Sequence, residues 1–249
     1  MTASLRIVAL LLVSGGVSFA AEHGGNAAPH WDYAGQRGPA HWATLDPAFA
    51  ACAGHKQSPV DLSHFTDVAL PPITFDYKAG GHDIINNGHT VQVDYDSGSS
   101  LSIDNMVFAL KQFHFHVPSE NHIAGRAFPM EAHFVQADAR GNLAVVAVMF
   151  VQGASNPALD ALWAHLPMKA DERHDLSPEA AAASLLPANR DYYRYEGSLT
   201  TPPCSEGVHW FVLKQPVTAS AAQISRMAAA LGHANNRPIQ PLGARAVLK

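Results

Sequence analysis

Gln112-Phe113-His114-Phe115-His116-Val117, with Glu131-Ala132-His133 following after a loop, is the stretch that decides how this chain folds. Along an extended strand, successive side chains alternate between two faces. Gln112, His114 and His116 therefore fall on one face, and Phe113, Phe115 and Val117 on the other. Glu131 and His133 share a face of the next strand in the same way. If the two strands pair, three imidazoles converge on one sheet surface, with the Gln112 carboxamide and the Glu131 carboxylate beside them. Three histidines with an open fourth position form the ligand set of a catalytic zinc, whereas structural zinc sites use four protein ligands and are rich in cysteine. A group bonded to a ligand's other ring nitrogen fixes its tautomer, the part open to Gln112 and Glu131.

Working outward, segments on both sides read as strands. Ile73-Thr74-Phe75-Asp76-Tyr77, Ile84 to Asn86, Val91-Gln92-Val93-Asp94-Tyr95 and Leu101-Ser102-Ile103 are short runs separated by Gly, Asn, Asp and Ser clusters. Asn86-Asn87-Gly88 has the composition of a tight turn. Leu143 to Val151 is apolar throughout, as a strand covered on both faces is. Val208 to Leu213 reads as one more strand. The expected fold is mainly β with peripheral helices (α+β), built on a single large, mostly antiparallel central sheet with the histidine strands near its middle. Helices are expected from Asn156-Pro157 to about His165 and from Ser177-Pro178-Glu179 to about Leu186. The longest is expected from Thr218 to Leu231, closed by Gly232. Asp46-Pro47 suits the N-cap and first position of a short helix toward Cys52. Ahead of it, Trp31 and Trp42 anchor an otherwise irregular arm.

The bulk numbers narrow the class. At 249 residues and 47% hydrophobic content, the chain can bury one sizeable core. A formal net charge of −5, with no basic run and no aromatic–basic interleaving, excludes nucleic acid as the expected partner. Residues 1–20 have the layout of a secretory signal peptide: Arg6, the apolar run Ile7 to Val13, then Ser18-Phe19-Ala20 before cleavage after Ala20 or Ala21. That run is far shorter than the roughly 20 apolar residues a membrane span needs. Residues 21–29 read as a disordered N-terminal arm, and 30–249 as a single domain. The protein is thus expected to be exported, periplasmic if its source has an outer membrane and otherwise secreted. Cys52 and Cys204 are the two cysteines. In an exported chain such a pair is expected to form one disulfide, the alternative being two buried thiols.

Ser198-Leu199-Thr200-Thr201-Pro202-Pro203-Cys204, taken with the two histidine segments, resembles the α-class carbonic anhydrases of the exported bacterial type. His30-Trp31-Asp32-Tyr33, Gln57-Ser58-Pro59-Val60-Asp61, Asn86-Asn87-Gly88-His89 and Asn235-Asn236-Arg237-Pro238 match further, in the family's order, across residues 30 to 249. The resemblance implies one zinc ion per chain, held by His114, His116 and His133, with Gln112 and Glu131 as partners of His114 and His133. It makes Thr200 the hydroxyl that accepts a hydrogen bond from zinc-bound hydroxide and passes its own proton to Glu120. It makes His89 the proton shuttle, with Tyr33, Asn87 and Gln92 as the polar wall holding a water chain. Val135, Val145, Leu199, Val208 and Trp210 would form the apolar wall where carbon dioxide waits, beside Thr200 and Thr201. Cys52 and Cys204 stand where exported members form their disulfide.

The implied reaction is reversible hydration of carbon dioxide to bicarbonate and a proton, by attack of zinc-bound hydroxide. Carbonic anhydrase is itself the type case of zinc lowering the pKa of bound water to about 7. The implied small molecules are carbon dioxide, bicarbonate, water, and sulfonamide-type and anion inhibitors, and a homodimer is among the implied assemblies. Two departures stand out: Asn121 occupies a place where histidine is frequent, and Gln136 also differs from common members. Both are expected to tune the surroundings of the ligands. Two rival readings fit part of the pattern. His114-x-His116-x-x-x-Glu120 fits the first metal motif of a cupin barrel, in which Glu120 would ligate iron or manganese. Phe108 stands where that motif has glycine, and no second motif follows. A non-catalytic zinc-binding module is the other, although all three zinc histidines are present.

Overall fold

The apolar run becomes a strand, Leu143–Gln152, buried from Ala144 to Phe150. Val146, Val148 and Phe150 enter one core, while Val145, Ala147 and Met149 enter a second on the other face. A strand covered twice needs apolar side chains in both alternating sets, which is why its sequence shows no polar period. The computed structural model that carries this sheet describes residues 29–249. The signal-peptide reading of residues 1–20, and nearly all of the arm at 21–29, fall outside the described residues. Trp31–Lys249 form one compact unit.

The sheet is assembled around that strand. Met130–Ala137 pairs antiparallel with it and, on its other edge, antiparallel with Met106–His116. Val91–Tyr95, Ala79–Asn86 and Arg173–Ala181 extend the sheet one way; Glu206–Leu213 and Tyr192–Ser198 extend it the other. Most pairings are antiparallel, as expected. Glu206–Leu213 and Val217–Ala219 run parallel to Leu143–Gln152. Register then does the placing: His114 stands opposite His133, and His116 opposite Glu131.

The back of the histidine strand holds it in position. Phe113 and Phe115 are wholly buried, Phe113 against Phe134 at 5.4 Å and Phe115 edge-on to Trp163 at 5.1 Å. Each such side chain contributes roughly 1.5–3 kcal/mol of burial. Anchoring on that face leaves the other free to carry polar groups.

Helices lie at the periphery. Asn156 caps Pro157–Trp163 by accepting the N–H of Ala158, and Asp46 caps the 3₁₀ helix Pro47–Ala53 by accepting that of Ala48. Two helix expectations are corrected. Ser177-Pro178-Glu179 does not start a helix; it lies in the edge strand Arg173–Ala181, where the register slips between Asp175 and Ala180. An edge irregularity is a place where proline's missing N–H costs no ladder bond. The only helical turn there is the 3₁₀ segment Ala182–Leu185. The longest helix begins at Ala221, not Thr218, because Val217–Ala219 pairs with Leu143–Gln152. Ser220 and Gln223 make a reciprocal capping box at its start, and Gly232, at φ 72°, closes it.

Candidate metal centre

His114, His116 and His133 converge as their register requires, with ligand nitrogens all within 4.8 Å of one another. Each ring has a polar oxygen beside its far nitrogen. His114 Nδ1 lies 2.8 Å from Gln112 Oε1 and His116 Nδ1 2.7 Å from the Asn235 carbonyl. His133 Nε2 lies 2.9 Å from Glu131 Oε1, close but out of line with the ring N–H. Gln112 and Glu131 thus stand where the sequence placed them. The Asn235 carbonyl is not marked in the sequence, because a backbone acceptor leaves no side-chain signature.

Burial pushes all three histidines below the usual 6.5, His114 and His133 strongly. The charges their neighbours would carry add to this for His114 and His133; for His116, the Asn235 carbonyl and Glu131 pull partly back. At neutral pH the cluster is therefore uncharged, and its inward nitrogens offer lone pairs. A metal needs that state, because an imidazolium has no lone pair to give. His116 Nε2 is buried with no hydrogen-bond partner, an arrangement a bound cation would satisfy.

Glu120 faces the cluster from the loop after His116. Its Oε1 accepts the N–H of Arg237 at 2.8 Å, and its unpartnered Oε2 lies 3.5 Å from His116 Nε2 and 3.9 Å from His133 Nδ1. Burial raises its pKa to about 8 in the metal-free chain, opposed by the Arg237 N–H and the Thr200 hydroxyl. Thr200 is 6% exposed on the loop after Tyr192–Ser198, and Thr201 accepts the Cys204 N–H at 2.8 Å. Glu131 is raised by burial and held down by the Asn121 amide and by the N–H groups of Asn121 and Glu120.

The apolar residues gather on the same side. Val145, Val208 and Trp210 are buried in the second core, with Val135 and Leu199 packed against it. Trp210 meets His133 edge-on at 4.9 Å, so this wall adjoins the metal ligands directly. Gln92 pairs across from His114 and donates to Asp94 Oδ1 at 2.5 Å. Tyr33 packs on Trp31 and Trp42, and burial with the charge of Glu120 drives its phenol well above 10.0. Asn87 Oδ1 accepts the N–H groups of His89 and Thr90, so this side chain builds the turn that carries His89. The His89 ring stacks on Trp31 at 3.8 Å, a contact that sequence reasoning missed.

Gln136 is a correction. It shares its face of Met130–Ala137 with Ala132 and Phe134, away from His133, and bonds Tyr77 in the opposite core. A period of two excludes it from the ligand surface. Asn121, by contrast, sits beside the ligands, donating to Glu131 Oε1 at 2.8 Å. Cys52 and Cys204 form a disulfide with Cα atoms 4.8 Å apart. No helix among the described residues is long and apolar enough to cross a membrane.

A family model described as eukaryotic-type carbonic anhydrase matches residues 37–249. A carbonic anhydrase from Pectobacterium atrosepticum is 50% identical over 220 residues, covering 88% of this chain and 90% of that one. A carbonic anhydrase from Neisseria gonorrhoeae is 44% identical over 246 residues, covering 98% and 96%. Among solved structures, the α-carbonic anhydrase of Thermovibrio ammonificans in complex with the inhibitor sulfanilamide is similar with a TM-score of 0.88 at 43% identity, covering 90% of this chain and 100% of that one.

Proposed function

Because this chain belongs to the eukaryotic-type carbonic anhydrase family of zinc-dependent lyases, we propose that it hydrates carbon dioxide reversibly to bicarbonate and a proton, with zinc held by His114, His116 and His133. The observation that carries the reading is the convergence of three neutral imidazoles, His116 and His133 buried and His114 half-buried, each with a polar oxygen beside its far nitrogen. Zinc bound there supplies the Lewis acidity that makes a water nucleophilic at neutral pH, the effect for which carbonic anhydrases are the type case.

The chain's own residues orient, exclude and move protons. Thr200 gives its one proton to Glu120 and so presents only lone pairs to the attacking water, which aligns it. Glu120 must be ionised for this, and a nearby dication would favour that form, against the burial that raises its pKa to about 8 in the metal-free chain. Val135, Val145, Leu199, Val208 and Trp210 offer carbon dioxide a wall without competing donors. Tyr33, Asn87 and Gln92 line the path along which His89 carries the product proton to solvent, a task suited to an imidazole.

The protein acts outside the cytoplasm in this reading, with residues 1–20 as its signal peptide and the Cys52–Cys204 bridge suited to an oxidising compartment. Sulfonamides and anions are its expected inhibitors, an expectation supported by the sulfanilamide complex of the Thermovibrio relative. Stopped-flow hydration of carbon dioxide tests the function on protein lacking residues 1–20. Activity should vanish with a zinc chelator and return with added zinc. A zinc-loaded protein that does not accelerate hydration overturns the reading.

A further inference from the structure

We propose that Asn121 is a positioning residue for the metal centre, holding His133 through Glu131 in the one tautomer that leaves Nδ1 to a metal. The inference rests on the reading of His114, His116 and His133 as zinc ligands. It comes from a chain of hydrogen bonds of fixed polarity that runs from Val60 and Tyr195 through Asn121 to Glu131, with His133 lying against its end.

The chain begins at Val60, whose N–H points at the Asn121 side chain at 3.2 Å. A backbone N–H can only donate, so the atom facing it is Oδ1, and the Asn121 amide nitrogen faces Glu131 Oε1 at 2.8 Å. The Tyr195 hydroxyl also gives its proton to Asn121 Oδ1, at 3.0 Å. With that proton spent, the Tyr195 oxygen is left to accept from Ser58 Oγ at 3.2 Å, and Ser58 Oγ accepts the N–H of Ser198 at 3.1 Å. Gly197 makes room for this: a Cβ there would meet Ser58 Oγ at 2.1 Å.

Glu131 is the sink of the chain. Its Oε2 takes the N–H groups of Glu120 at 2.7 Å and Asn121 at 2.9 Å, while Oε1 takes the Asn121 amide. A carboxylate facing donors on all these sides favours a donor on His133 as well: Nε2 lies 2.9 Å from Oε1, out of line for a hydrogen bond as it stands, and the ring proton belongs on that nitrogen. Nδ1 is then a lone pair aimed into the cluster. Ser58, Asn121 and Glu131 are wholly buried, and Tyr195 is 2% exposed, so water cannot stand in for a missing link. The carboxamide suits the place because it has no tautomers and cannot reverse its polarity without losing both Val60 and Glu131. Partners that orient a metal-bound histidine in this way typically govern metal affinity 10–100-fold.

Zinc release into excess chelator, followed well below the melting temperature, is the test, with metal-free melting measured alongside. A wild-type protein that takes up no zinc overturns the metal reading itself. If it holds zinc, Asn121→Asp, which turns an acceptor toward Glu131, should release it about 10–100-fold faster. Asn121→His, whose ring N–H can still donate to Glu131, should stay within about threefold of wild type. If Asn121→Asp does not fold, Tyr195→Phe decides: it removes one of the two donors holding Oδ1 and should speed release about threefold or more. A purely architectural role would lower the metal-free melting temperature and leave the release rate unchanged. That result, or an Asn121→His variant as leaky as Asn121→Asp, overturns the proposal.

Discussion

Glu120 Oε2 lies 3.5 Å from His116 Nε2, and neither buried atom has a hydrogen-bond partner. Two polar atoms left bare side by side mark the place where a third group belongs. Glu120 Oε1 is already tied to the Arg237 N–H, so the carboxylate is fixed in orientation before anything binds. If it serves as Thr200's proton acceptor and not as a ligand, Glu120→Gln should keep zinc while hydration slows by on the order of a hundredfold or more. Metal analysis of the variant checks this. Loss of zinc would instead make Glu120 a ligand, as in the cupin reading.

The same residue predicts a pH effect on the metal-free protein. Burial lifts its carboxyl from 4.5 to about 8, so between these values the folded chain binds more protons than the unfolded one. Its contribution to stability is full below about 4.5 and is lost as pH rises through about 8. Glu120→Gln carries no such proton. Melting curves from about pH 5 to about pH 9 should show metal-free wild type losing ground against the variant, and a constant difference would refute the linkage.

The three histidines titrate the opposite way. Their depressed pKa values keep them neutral below the usual 6.5, so zinc competes with protons less than it would at ordinary imidazoles. Zinc should stay bound at about pH 6 and leave only under more acid conditions. His114→Ala, His116→Ala or His133→Ala should each abolish nearly all hydration and most of the roughly one zinc per chain. Atomic absorption on the dialysed variants reads this out; a variant that keeps its full zinc would remove that histidine from the ligand set.

Much of this site was legible in the sequence because strand periodicity is simple. Gln112, His114 and His116 share a face by count alone, and the register to Glu131 and His133 follows once the strands pair. Asn235 and Trp31 were not legible as partners. Each acts across a long sequence separation, one through a backbone carbonyl and the other through ring stacking on His89. Ser177-Pro178 misled for a related reason: locally it reads as a helix start, but pairing with Ala79–Asn86 claims the segment for the sheet edge. Tertiary pairing overrides local preference wherever the local signal is one proline long.

The Cys52–Cys204 bridge spans a sequence separation of 152 residues, for which the chain-entropy account gives up to about 5 kcal/mol. It also fastens the loop that carries Thr200. Gln57 donates to the Cys204 carbonyl at 3.1 Å, and Arg237 joins Gln57 Oε1 to the Cys52 carbonyl. Reduction should therefore lower the melting temperature by several degrees or more and increase hydrogen exchange at Thr200 and Thr201 before global unfolding. Two free thiols titrated in the folded, air-exposed protein would contradict the bridge.

His89 offers the sharpest kinetic test. Its turn is fixed from both sides: its N–H is held by Asn87 Oδ1 at 3.0 Å, and its carbonyl takes the Asn235 amide at 3.1 Å. The half-buried ring stacked on Trp31 belongs to no metal cluster among the described residues, so it can serve proton transfer without touching the ligands. Loss of such a group spares the chemical step that sets kcat/KM and slows the proton release that limits kcat. His89→Ala should lower kcat in dilute buffer while kcat/KM stays within about threefold of wild type. Concentrated imidazole buffer should restore much of the lost kcat, because a diffusing base can replace the side chain. His82, within 3.8 Å of Asp83 and 3.4 Å of Asp96, and His209, 2.8 Å from Glu196, provide controls that should show no such rescue. If kcat/KM falls as far as kcat, or if buffer concentration has no effect, the proton leaves by another group and His89 serves only the turn it sits on.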